Sequence, residues 1–508
     1  MPVSEELNMR MFEPGRAIAL ACIGTIIVSC GCGSSSFSGP ATSVTPTANP
    51  LVAQFTIRPF QTNVTGWVEF GTDTTYGRQT STSAPTASLT DALNILVAGM
   101  KPNTTYHMRA HLKAVDGETS VGTDETFTTG AIPASAGTLP GIAVTRPSPG
   151  LTPAKGIELL NLVSFGKGLT GIVTDLDGNI IWYYSPGNGA SMTPLKLIPS
   201  GHMIMNVGDL REIDLAGNIQ RDVTVDAINQ SLQVNGYSFT ISLFHHDLIV
   251  LPNGHWITLA NTSKQFTDLP GFPGTTDVLG DALIDIDING NVAWAWDGFD
   301  HLDVNRHLMG LPDWTHSNAI VYTPDGNLLV SMRHQSWILK IDYANGTGSG
   351  DILWRLGNQG DFGLTGGDPS DWFYAQHYPN LESTNGSVMT LAVMDNGDFR
   401  VDAGGNKCSA LCFSRATLFQ VDEATRLATL LWQDLPGFYS FWGGSAGLLD
   451  NGDYEFDLTT VATTPASQIM EVTQTDSPRT VWQLNLTGEN AYRGYRIPSL
   501  YPGITWEK

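Results

Sequence analysis

The stretch Asp175-Leu-Asp-Gly-Asn-Ile-Ile-Trp182 joins an Asp-rich turn to a β-run that ends in tryptophan. It recurs as Asp287-Ile-Asn-Gly-Asn-Val-Ala-Trp294, and its turn recurs as Asp214-Leu-Ala-Gly-Asn218. Looser copies of the unit span 342–354, 422–432 and 471–482. Units of roughly 40–50 residues that each carry an Asp or Trp signature are typical of propeller blades. The repeat therefore predicts an all-β fold with a six-bladed β-propeller, in which each of these six copies belongs to one blade.

The composition also favours turn-rich β-structure. Of 508 residues, 54 are glycine and 13 are tryptophan, while only 15% are charged. Glycine suits tight turns, and tryptophan suits the packing of one sheet against another. The formal net charge of −23 argues against nucleic acid as a partner, because contacts with phosphates need Lys and Arg.

Residues 1–29 are predicted to be a lipoprotein-type signal peptide. Arg10 and Arg16 precede an apolar run that is too short to span a bilayer comfortably, and Ser29-Cys30 ends a lipobox-like motif. Lipidation of Cys30 would attach the chain to a bacterial membrane, with no other membrane contact. An ordinary cleaved signal peptide is the alternative. Either version predicts export to the periplasm or the cell surface.

Residues 50–130 are predicted to form a separate small β-sandwich. Trp67 lies in an early alternating strand, and Tyr106 follows a Pro-Asn turn before a later strand. A core tryptophan and a tyrosine in this position suit a sandwich with a tyrosine corner, so the stretch resembles a fibronectin type III domain. The segments around it are interpreted as a flexible tether at 30–49, a Pro/Gly/Ala-rich linker at 131–154 and the propeller at 155–508.

Cys408 and Cys412 form a cysteine pair in the predicted propeller. Because an exported protein meets an oxidising compartment, we predict a disulfide between them. A zinc site is the alternative. It would need further ligands nearby, and none stands in the local sequence.

Three histidines precede a turn glycine at nearly the same distance. His245, His316 and His377 lie nine, ten and nine residues before the glycine of the turn that follows each of them. Each histidine therefore opens a β-run that ends in a tight turn. If the runs are equivalent strands of a propeller, the histidines converge near one end of its axis. Local structure gives no reason for histidine there, which makes these residues a candidate reaction centre.

The motifs around these histidines resemble those of a known family. The runs Asp313-Trp-Thr-His-Ser-Asn-Ala319, Ser331-Met-Arg-His-Gln335 and Gln376-His377, with the closing Tyr495-Arg-Ile-Pro-Ser-Leu-Tyr501, look like bacterial arylsulfate sulfotransferases. The resemblance covers about 155–508. It implies an exported propeller enzyme that moves a sulfuryl group from an aryl sulfate donor to a phenolic acceptor. No nucleotide sulfate, other cofactor or metal is expected.

The resemblance also implies roles for individual residues. His377 matches the histidine that is sulfated in a covalent intermediate, while His245 or His246, His316 and Arg333 surround the sulfate. A neutral imidazole can attack sulfur and leave again, and an arginine offers a planar cationic fork to its oxygens. His316 is the favoured acid for the leaving phenolate, with His245 as second choice. Further substrate contacts are expected from Asn318, Asn380 and His334.

Two other functions stay open at this stage. Three histidines could ligate zinc or iron in a metal-dependent propeller lyase or hydrolase, although a nearby Arg333 would be unfavourable beside a divalent cation. A non-catalytic surface module that binds a glycan or a protein is the second. The insertions at 266–280 and 358–374 are expected to form an apolar wall for an aryl ring. The oligomeric state is left open.

Overall fold

The computed structural model describes residues 40–507 except 60, 89, 164–170, 187–192 and 409–411. The predicted signal peptide and the predicted lipidation site Cys30 lie outside these residues. One α-helix occurs in the described chain, α1 (Val225–Val234), and the Thr224 side chain caps its first turn by accepting from Ala227 N–H. Short 3-10 turns lie at Ala134–Ala136, Gly298–Asp300, Arg333–Gln335, Ala344–Gly346 and Pro369–Asp371. No described helix is long and apolar enough to cross a bilayer.

Eight strands come first along the chain. They are β1 (Ala41–Pro46), β2 (Ala53–Arg58), β3 (Thr65–Gly71), β4 (Arg78–Gln79), β5 (Leu93–Val97), β6 (Thr105–Lys113), β7 (Thr119–Val121) and β8 (Glu125–Thr128). One sheet has the order β1-β2-β5; the other has the order β4-β3-β6-β7, with β8 also paired to β6. Alternate residues such as Phe55, Val68 and Met108 are fully buried, so each sheet has one face in a core.

Three details of this N-terminal part bear on the sandwich prediction. Trp67 does not lie in the core as expected: it is half-buried on the outer face of β3 and stacks on His111 at 4.9 Å. The strand is in the opposite register, with Gly66 and Val68 pointing inward. The Tyr106 hydroxyl accepts a hydrogen bond from Lys101 N–H at 2.9 Å, as a tyrosine corner does. The likeness to fibronectin type III itself stays a prediction.

The tether and linker predictions need correction. Residues 41–46, assigned to the flexible tether, form β1 and pair in register with β2. In the same way, residues 141–145 of the linker form β9 (Gly141–Thr145), which pairs with a strand near the C-terminus. Both segments contain Val and Thr, which fit an edge strand, and backbone pairing outweighs the Ser, Gly and Pro around them.

The remaining strands follow in groups along the chain. They are β10 (Ile157–Val163), β11 (Gly171–Thr174), β12 (Ile180–Tyr184); β13 (Leu195–Leu197), β14 (Met203–Asn206), β15 (Leu210–Ile213), β16 (Ile219–Val223); β17 (Phe244–Val250), β18 (Trp256–Leu269), β19 (Phe272–Ile286), β20 (Val292–Asp297); β21 (Ser317–Tyr322), β22 (Leu328–Met332), β23 (Trp337–Ile341), β24 (Ile352–Leu356); β25 (Gly363–Leu364), β26 (His377–Asn385), β27 (Val388–Asp395), β28 (Arg415–Asp422), β29 (Leu427–Asp434); β30 (Ala446–Leu448), β31 (Tyr454–Leu458), β32 (Ala466–Val472), β33 (Thr480–Thr487) and β34 (Asn490–Ile497).

These strands form six sheets in the described residues. Sheet 1 has the order β34-β10-β11-β12, sheet 2 β13-β14-β15-β16, sheet 3 β17-β18-β19-β20 and sheet 4 β21-β22-β23-β24. Sheet 5 is β26-β27-β28-β29 with β25 at its outer edge, and sheet 6 is β30-β31-β32-β33 with β9 at its outer edge. Apart from the parallel β25–β29 pair, neighbouring strands are antiparallel.

The sheets form a ring. The first strands of sheets 3 to 6 contact one another in turn: β17 contacts β21, β21 contacts β26, and β26 contacts β30. Sheet 2 contacts sheet 3 through β14 and β17. The C-terminal β34 contacts β31 of sheet 6 and pairs with β10 of sheet 1. Because β10 in turn contacts β13 of sheet 2, the first and last strands of the ring close it within sheet 1. The predicted all-β propeller is confirmed. The number of blades in the whole chain stays a prediction.

The core lies between neighbouring sheets. Trp256 and Ile284 of sheet 3 pack against sheet 2 and α1, whereas Trp296 and Leu283 face sheet 4. Strands such as β10, β22 and β31 thus bury both faces, which explains their nearly continuous apolar runs, whereas outer strands such as β16 are mostly exposed. Trp182, Trp354 and Trp482 fill equivalent layers and are almost fully buried. The tryptophans that mark the repeat therefore hold adjacent sheets together.

The C-terminal segment joins the N-terminal sheets to the ring. The Tyr501 hydroxyl accepts from Ala98 N–H at 2.7 Å and donates to the Leu96 carbonyl at 2.8 Å. Trp506 is 1% exposed and packs against Phe70 at 5.8 Å. Trp506, near the C-terminus, therefore lies in the N-terminal core in which Trp67 was predicted to lie. Cys408 and Cys412 are joined by a disulfide, as predicted.

Candidate active site

The site begins where the innermost strands of sheets 3, 4 and 5 start. His245 is the second residue of β17, His316 directly precedes β21, and His377 is the first residue of β26. Each start carries a shift of strand register, and each has a residue with positive φ: His246 (52°), His316 (48°) and Tyr378 (46°). Such bulges redirect side chains, at a cost of about 1–3 kcal/mol for each strained residue. The repeat therefore places three bulged strand starts around one axis.

A cavity of about 380 Å³ lies at these strand starts. Its lining consists of Val163, Thr193, His246, His316, Arg333, His377, Phe441, Trp442 and Tyr492. Four of the residues chosen from the sequence thus meet here: His246, His316, Arg333 and His377. His245, His334, Asn318 and Asn380 are not part of this lining.

His377 is 1% exposed, and its hydrogen bonds identify its tautomer. Asn396 donates through Nδ2 to the carbonyls of Ser440 and Gly443, so its Oδ1 faces His377 Nδ1 at 2.7 Å. Nδ1 must then carry the proton, which leaves a lone pair on Nε2. Gly443 N–H donates to this Nε2 at 3.2 Å. Burial, followed by the charge of Arg333, holds the pKa of His377 well below its ordinary value, so the ring is neutral at neutral pH.

Arg333 is fixed by three partners. Its Nη2 donates to Asp398 Oδ2 at 2.9 Å and to the Phe441 carbonyl at 2.8 Å. Its Nη1 lies 2.7 Å from His334 Nε2. The buried Nε–H has no hydrogen-bond partner among the described residues. A guanidinium held in this way keeps donor capacity for an anion in the cavity.

His316 and His334 form a stacked pair behind Arg333. Their rings are 4.5 Å apart and nearly parallel, and His316 Nδ1 lies 2.5 Å from Asp313 Oδ2. His334 Nδ1 donates to the Asp313 carbonyl, because its Nε2 must accept from the arginine. Burial lowers the pKa of His334 to about 4. His334 therefore supports Arg333 and His316 from outside the cavity.

His245 and His246 are neighbours with different surroundings. His246 lines the cavity, and its ring lies 4.8 Å from that of His316. His245 lies behind it, with its Nδ1 2.8 Å from His246 Nδ1 and its Nε2 3.2 Å from Asp281 Oδ1. The sequence could not decide which of the two histidines faces the site. In the structure it is His246.

The two asparagines have structural contacts. Asn318 is fully buried and donates through Nδ2 to the Gln376 carbonyl at 2.8 Å, which ties β21 to the strand start of His377. Asn380 donates to Glu382 Oε1 at 2.9 Å and lines a different, smaller cavity. Neither residue reaches the cavity that His377 lines. Their predicted role as substrate ligands has no geometric support.

One group of described residues could hold a metal ion. Asp313, His316 and His334 each offer a ligand atom, and these atoms lie within 4.8 Å of one another. However, both ring nitrogens of His334 are engaged: Nε2 by the Arg333 guanidinium and Nδ1 by the Asp313 carbonyl. The adjacent guanidinium would also repel a cation. This donor set therefore fits an anion-binding site better than a metal centre.

The aromatic wall comes from a segment that sequence reasoning missed. Phe441 and Trp442, on the loop between β29 and β30, line the cavity together with Tyr492. The expected insertions pack elsewhere: Phe266 joins a cluster around Trp314, and Trp372 lies in the core between sheets 4 and 5. The run Phe438-Tyr-Ser-Phe-Trp442 is the signal that could have identified the loop.

Four polar residues near the site were also missed. Asp281, Asp313, Asn396 and Asp398 each contact one of the basic side chains. Asp313 was quoted as part of a motif but was given no role. Asp281 lies within β19, and Asn396 and Asp398 follow the end of β27. All three are 19 or more residues along the chain from their partners, so no spacing marks them.

Comparisons with known proteins were made for the whole chain. A family model described as Arylsulfotransferase (ASST) matches residues 153–496. No curated protein matches the chain. Similar solved structures include a streptogramin B lyase, with 11% identity and a TM-score of 0.30, covering 68% of this chain and 98% of that one. They also include a protein from Lactobacillus plantarum, with 10% identity and a TM-score of 0.35, covering 68% of this chain and 99% of that one.

Proposed function

The chain belongs to the arylsulfotransferase family, and from this premise we propose that it works by ping-pong transfer through a sulfated His377. As a family member, it is an aryl-sulfate sulfotransferase that acts on an aryl sulfate and a phenol. The observation that supports the covalent route is the tautomer of His377. A buried neutral ring with its lone pair on Nε2 is the form that a nitrogen nucleophile needs.

In the first half-reaction, His377 Nε2 attacks the sulfur of the donor. The N–S bond forms as the bond from sulfur to the phenolic oxygen breaks, and the phenolate takes up a proton to leave as a phenol. The weak 3.2 Å hydrogen bond from Gly443 N–H to Nε2 must be given up at this point. Sulfuryl transfer resembles phosphoryl transfer in its loose, in-line transition state, so fixed positive groups contribute most of the stabilisation.

Arg333 and His316 are suited to hold the sulfuryl oxygens. The three contacts of the guanidinium fix its plane before substrate enters, and Asp313 fixes the His316 ring. Both side chains line the same cavity as His377. In the second half-reaction an acceptor phenol replaces the first one. Its oxygen attacks the sulfur while its proton returns to the group that protonated the first phenolate, and His377 leaves in its original neutral form.

The aryl ring is proposed to bind against Phe441 and Trp442. Phe441 is 50% exposed, and the ring contacts run from it through Trp442 and Tyr492 to His377 at spacings of about 6 Å. An exposed aromatic edge beside a buried nucleophile suits a substrate with an anionic sulfate and a flat apolar body.

Incubation with 4-nitrophenyl sulfate, followed by peptide mass spectrometry, tests the covalent step. We expect a labile sulfo group on the His377 peptide. His377→Ala should lack this adduct, and its transfer rate should fall by at least ~10⁴-fold. His202→Ala is the control, because His202 pairs with Glu212 in sheet 2 and touches none of the site residues. Near parental transfer by His377→Ala, or inactivation of the parent by a chelator, would refute the mechanism.

A further inference from the structure

We propose that Asp281, His245 and His246 form a proton relay that serves first as acid and then as base in sulfuryl transfer. The inference rests on the proposed function and adds the path of the proton to it. His246 is the member that would touch the reacting phenol. His245 and Asp281 are positioning residues that act through His246.

The first support is the contact between the two rings. His245 Nδ1 and His246 Nδ1 lie 2.8 Å apart, the distance of a hydrogen bond. Two nitrogens at this distance need one proton between them, because two lone pairs would repel and two N–H groups would clash. The rings are therefore coupled: when one changes its proton on Nδ1, the other must change as well.

The second support is the carboxylate behind His245. Asp281 is 2% exposed, and the charge of His245 and several hydrogen bonds bring its pKa down to about 2 against the effect of burial, so it is ionised at neutral pH. His245 Nε2 lies 3.2 Å from Asp281 Oδ1, within ion-pair distance, and makes no hydrogen bond to the described residues. This carboxylate also accepts hydrogen bonds from Asn261, Thr315 and Ser317, so it stays satisfied whether or not the nearby ring carries a charge. In the proposed relay, His245 is the ring that carries the extra proton beside it.

The third support is the exposure of His246 to the cavity. Its Nδ1 faces His245, while the ring lines the cavity beside His316 and Tyr492. The charged and titratable groups that face it are His245, His316, His377, Tyr492 and Arg493. Burial first, and then the charge of His316, keep the pKa of His246 well below its ordinary value. A neutral His246 with its proton on Nε2 and a charged His245 behind it satisfy all of these contacts.

The proton balance follows from this arrangement. As the S–O bond of the donor breaks, the phenolate oxygen takes the proton from His246 Nε2, and the His245 Nδ1 proton moves to His246 Nδ1. His245 is then neutral, and His246 has a lone pair on Nε2. In the second half-reaction the acceptor phenol gives its proton to this Nε2 while its oxygen bonds to sulfur. The Nδ1 proton returns to His245, and no proton is exchanged with solvent over the cycle.

The other cavity histidine is less suited to this task. His316 Nδ1 contacts the Asp313 carboxylate directly at 2.5 Å, and its ring is stacked on His334. Direct contact with a carboxylate stabilises a positive charge on the ring in both half-reactions, which suits a group that binds sulfuryl oxygens. In the Asp281 relay, the charge is one ring further from the cavity. The positive charge of the relay can therefore be lost and regained while the His316–Asp313 ion pair, which faces the substrate, stays intact.

The test compares two donors that differ in their need for an acid. The quantity compared is kcat/KM for the donor, which in ping-pong transfer reports the first half-reaction alone. In His245→Gln, this value for 4-nitrophenyl sulfate should fall by less than ~3-fold, because its acidic phenol leaves without a proton. Transfer from phenyl sulfate should fall by ~100-fold, the scale of general acid catalysis. His246→Gln removes the ring that would touch the phenol, so it should lower kcat/KM for phenyl sulfate at least as much. His255→Gln is the matched control: His255 directly precedes β18, at the opposite end of the β17–β18 hairpin from His245, and pairs with Asp285 at 2.9 Å.

The outcomes separate the relay from the proposed function. Absence of transfer and of a sulfo adduct in the parent protein would refute the proposed function. A parent that transfers, with His245→Gln losing both donors equally or neither of them, would refute the relay alone. If circular dichroism shows that the variant does not fold, the relay is tested on the parent instead. Its rate of transfer from phenyl sulfate is then measured in mixtures of H₂O and D₂O. A curved dependence on deuterium fraction, from two moving protons, is expected; a linear one would overturn the relay.

Discussion

Replacing Arg333 with Lys would test whether the planar fork or the charge alone matters. Arg333 donates to Asp398 and the Phe441 carbonyl from one nitrogen and approaches His334 from the other. A lysine ammonium can satisfy Asp398, but it offers no second nitrogen toward His334 and no counterpart of the unpaired Nε–H. The sulfuryl group would therefore lose one fixed donor while the net charge stays the same.

Loss of one preorganised donor to a developing anion costs about 3 kcal/mol, which corresponds to a fall of roughly 100-fold or more in kcat/KM. Steady-state transfer from 4-nitrophenyl sulfate to a phenol measures this fall. Arg355→Lys is the control, because Arg355 lies in the neighbouring β24 and pairs with Asp361 near the surface. A kcat/KM of Arg333→Lys within about threefold of the parent would show that charge alone suffices.

Three further predictions concern the rest of the chain. Cys30→Ala should release the protein from bacterial membranes, as measured by fractionation; unchanged association would refute the lipid anchor. Alkylation without reductant should label neither Cys408 nor Cys412, and prior reduction should add two further groups to the intact mass. Asp457 is fully buried, and burial raises its pKa well above the ordinary value. The carboxyl of Asp457 ionises near pH 4 in the unfolded chain but stays protonated in the folded one. The free energy of unfolding of the parent should therefore fall as pH rises above about 4, by up to about 1.4 kcal/mol per pH unit, until the pKa of the folded state is reached. Asp457→Asn should flatten this slope in thermal melts at pH 5 and 8; equal slopes would contradict it.

The propeller could be predicted because its signals are local. The Asp-rich turns recur at the same place in each sheet, and the tryptophans after them lie in the layers between sheets. The edge strand β9 could not be predicted, because its partner β33 lies more than 300 residues later in the chain. The strand β1 pairs with the adjacent β2, but its Ser, Thr and Pro residues are also typical of a tether. Trp506 was missed as a core residue of the N-terminal sheets for the same reason.

The histidines and Arg333 could be found from the sequence because each precedes or follows a recognisable strand. The aromatic wall and the polar partners could not be found in this way. Phe441 reaches the cavity only because the loop after β29 turns back over the ends of the inner strands, where its carbonyl meets Arg333. Loop direction depends on such contacts and not on spacing. The choice of His246 over His245 was decided by a strand bulge, which the sequence does not mark.

The partners of the basic groups distinguish their roles. Arg333 contacts Asp398, His316 contacts Asp313, and His245 contacts Asp281, so each has a carboxylate that stabilises a positive charge. His377 contacts the amide of Asn396 in the same geometric position. An amide oxygen fixes the ring and its tautomer without the negative charge that would favour protonation. A nucleophile must keep its lone pair, whereas a group that binds sulfuryl oxygens must keep its proton. Within the cavity lining, His377 is the ring held by a side-chain amide, which supports the proposal that it is the residue that attacks sulfur.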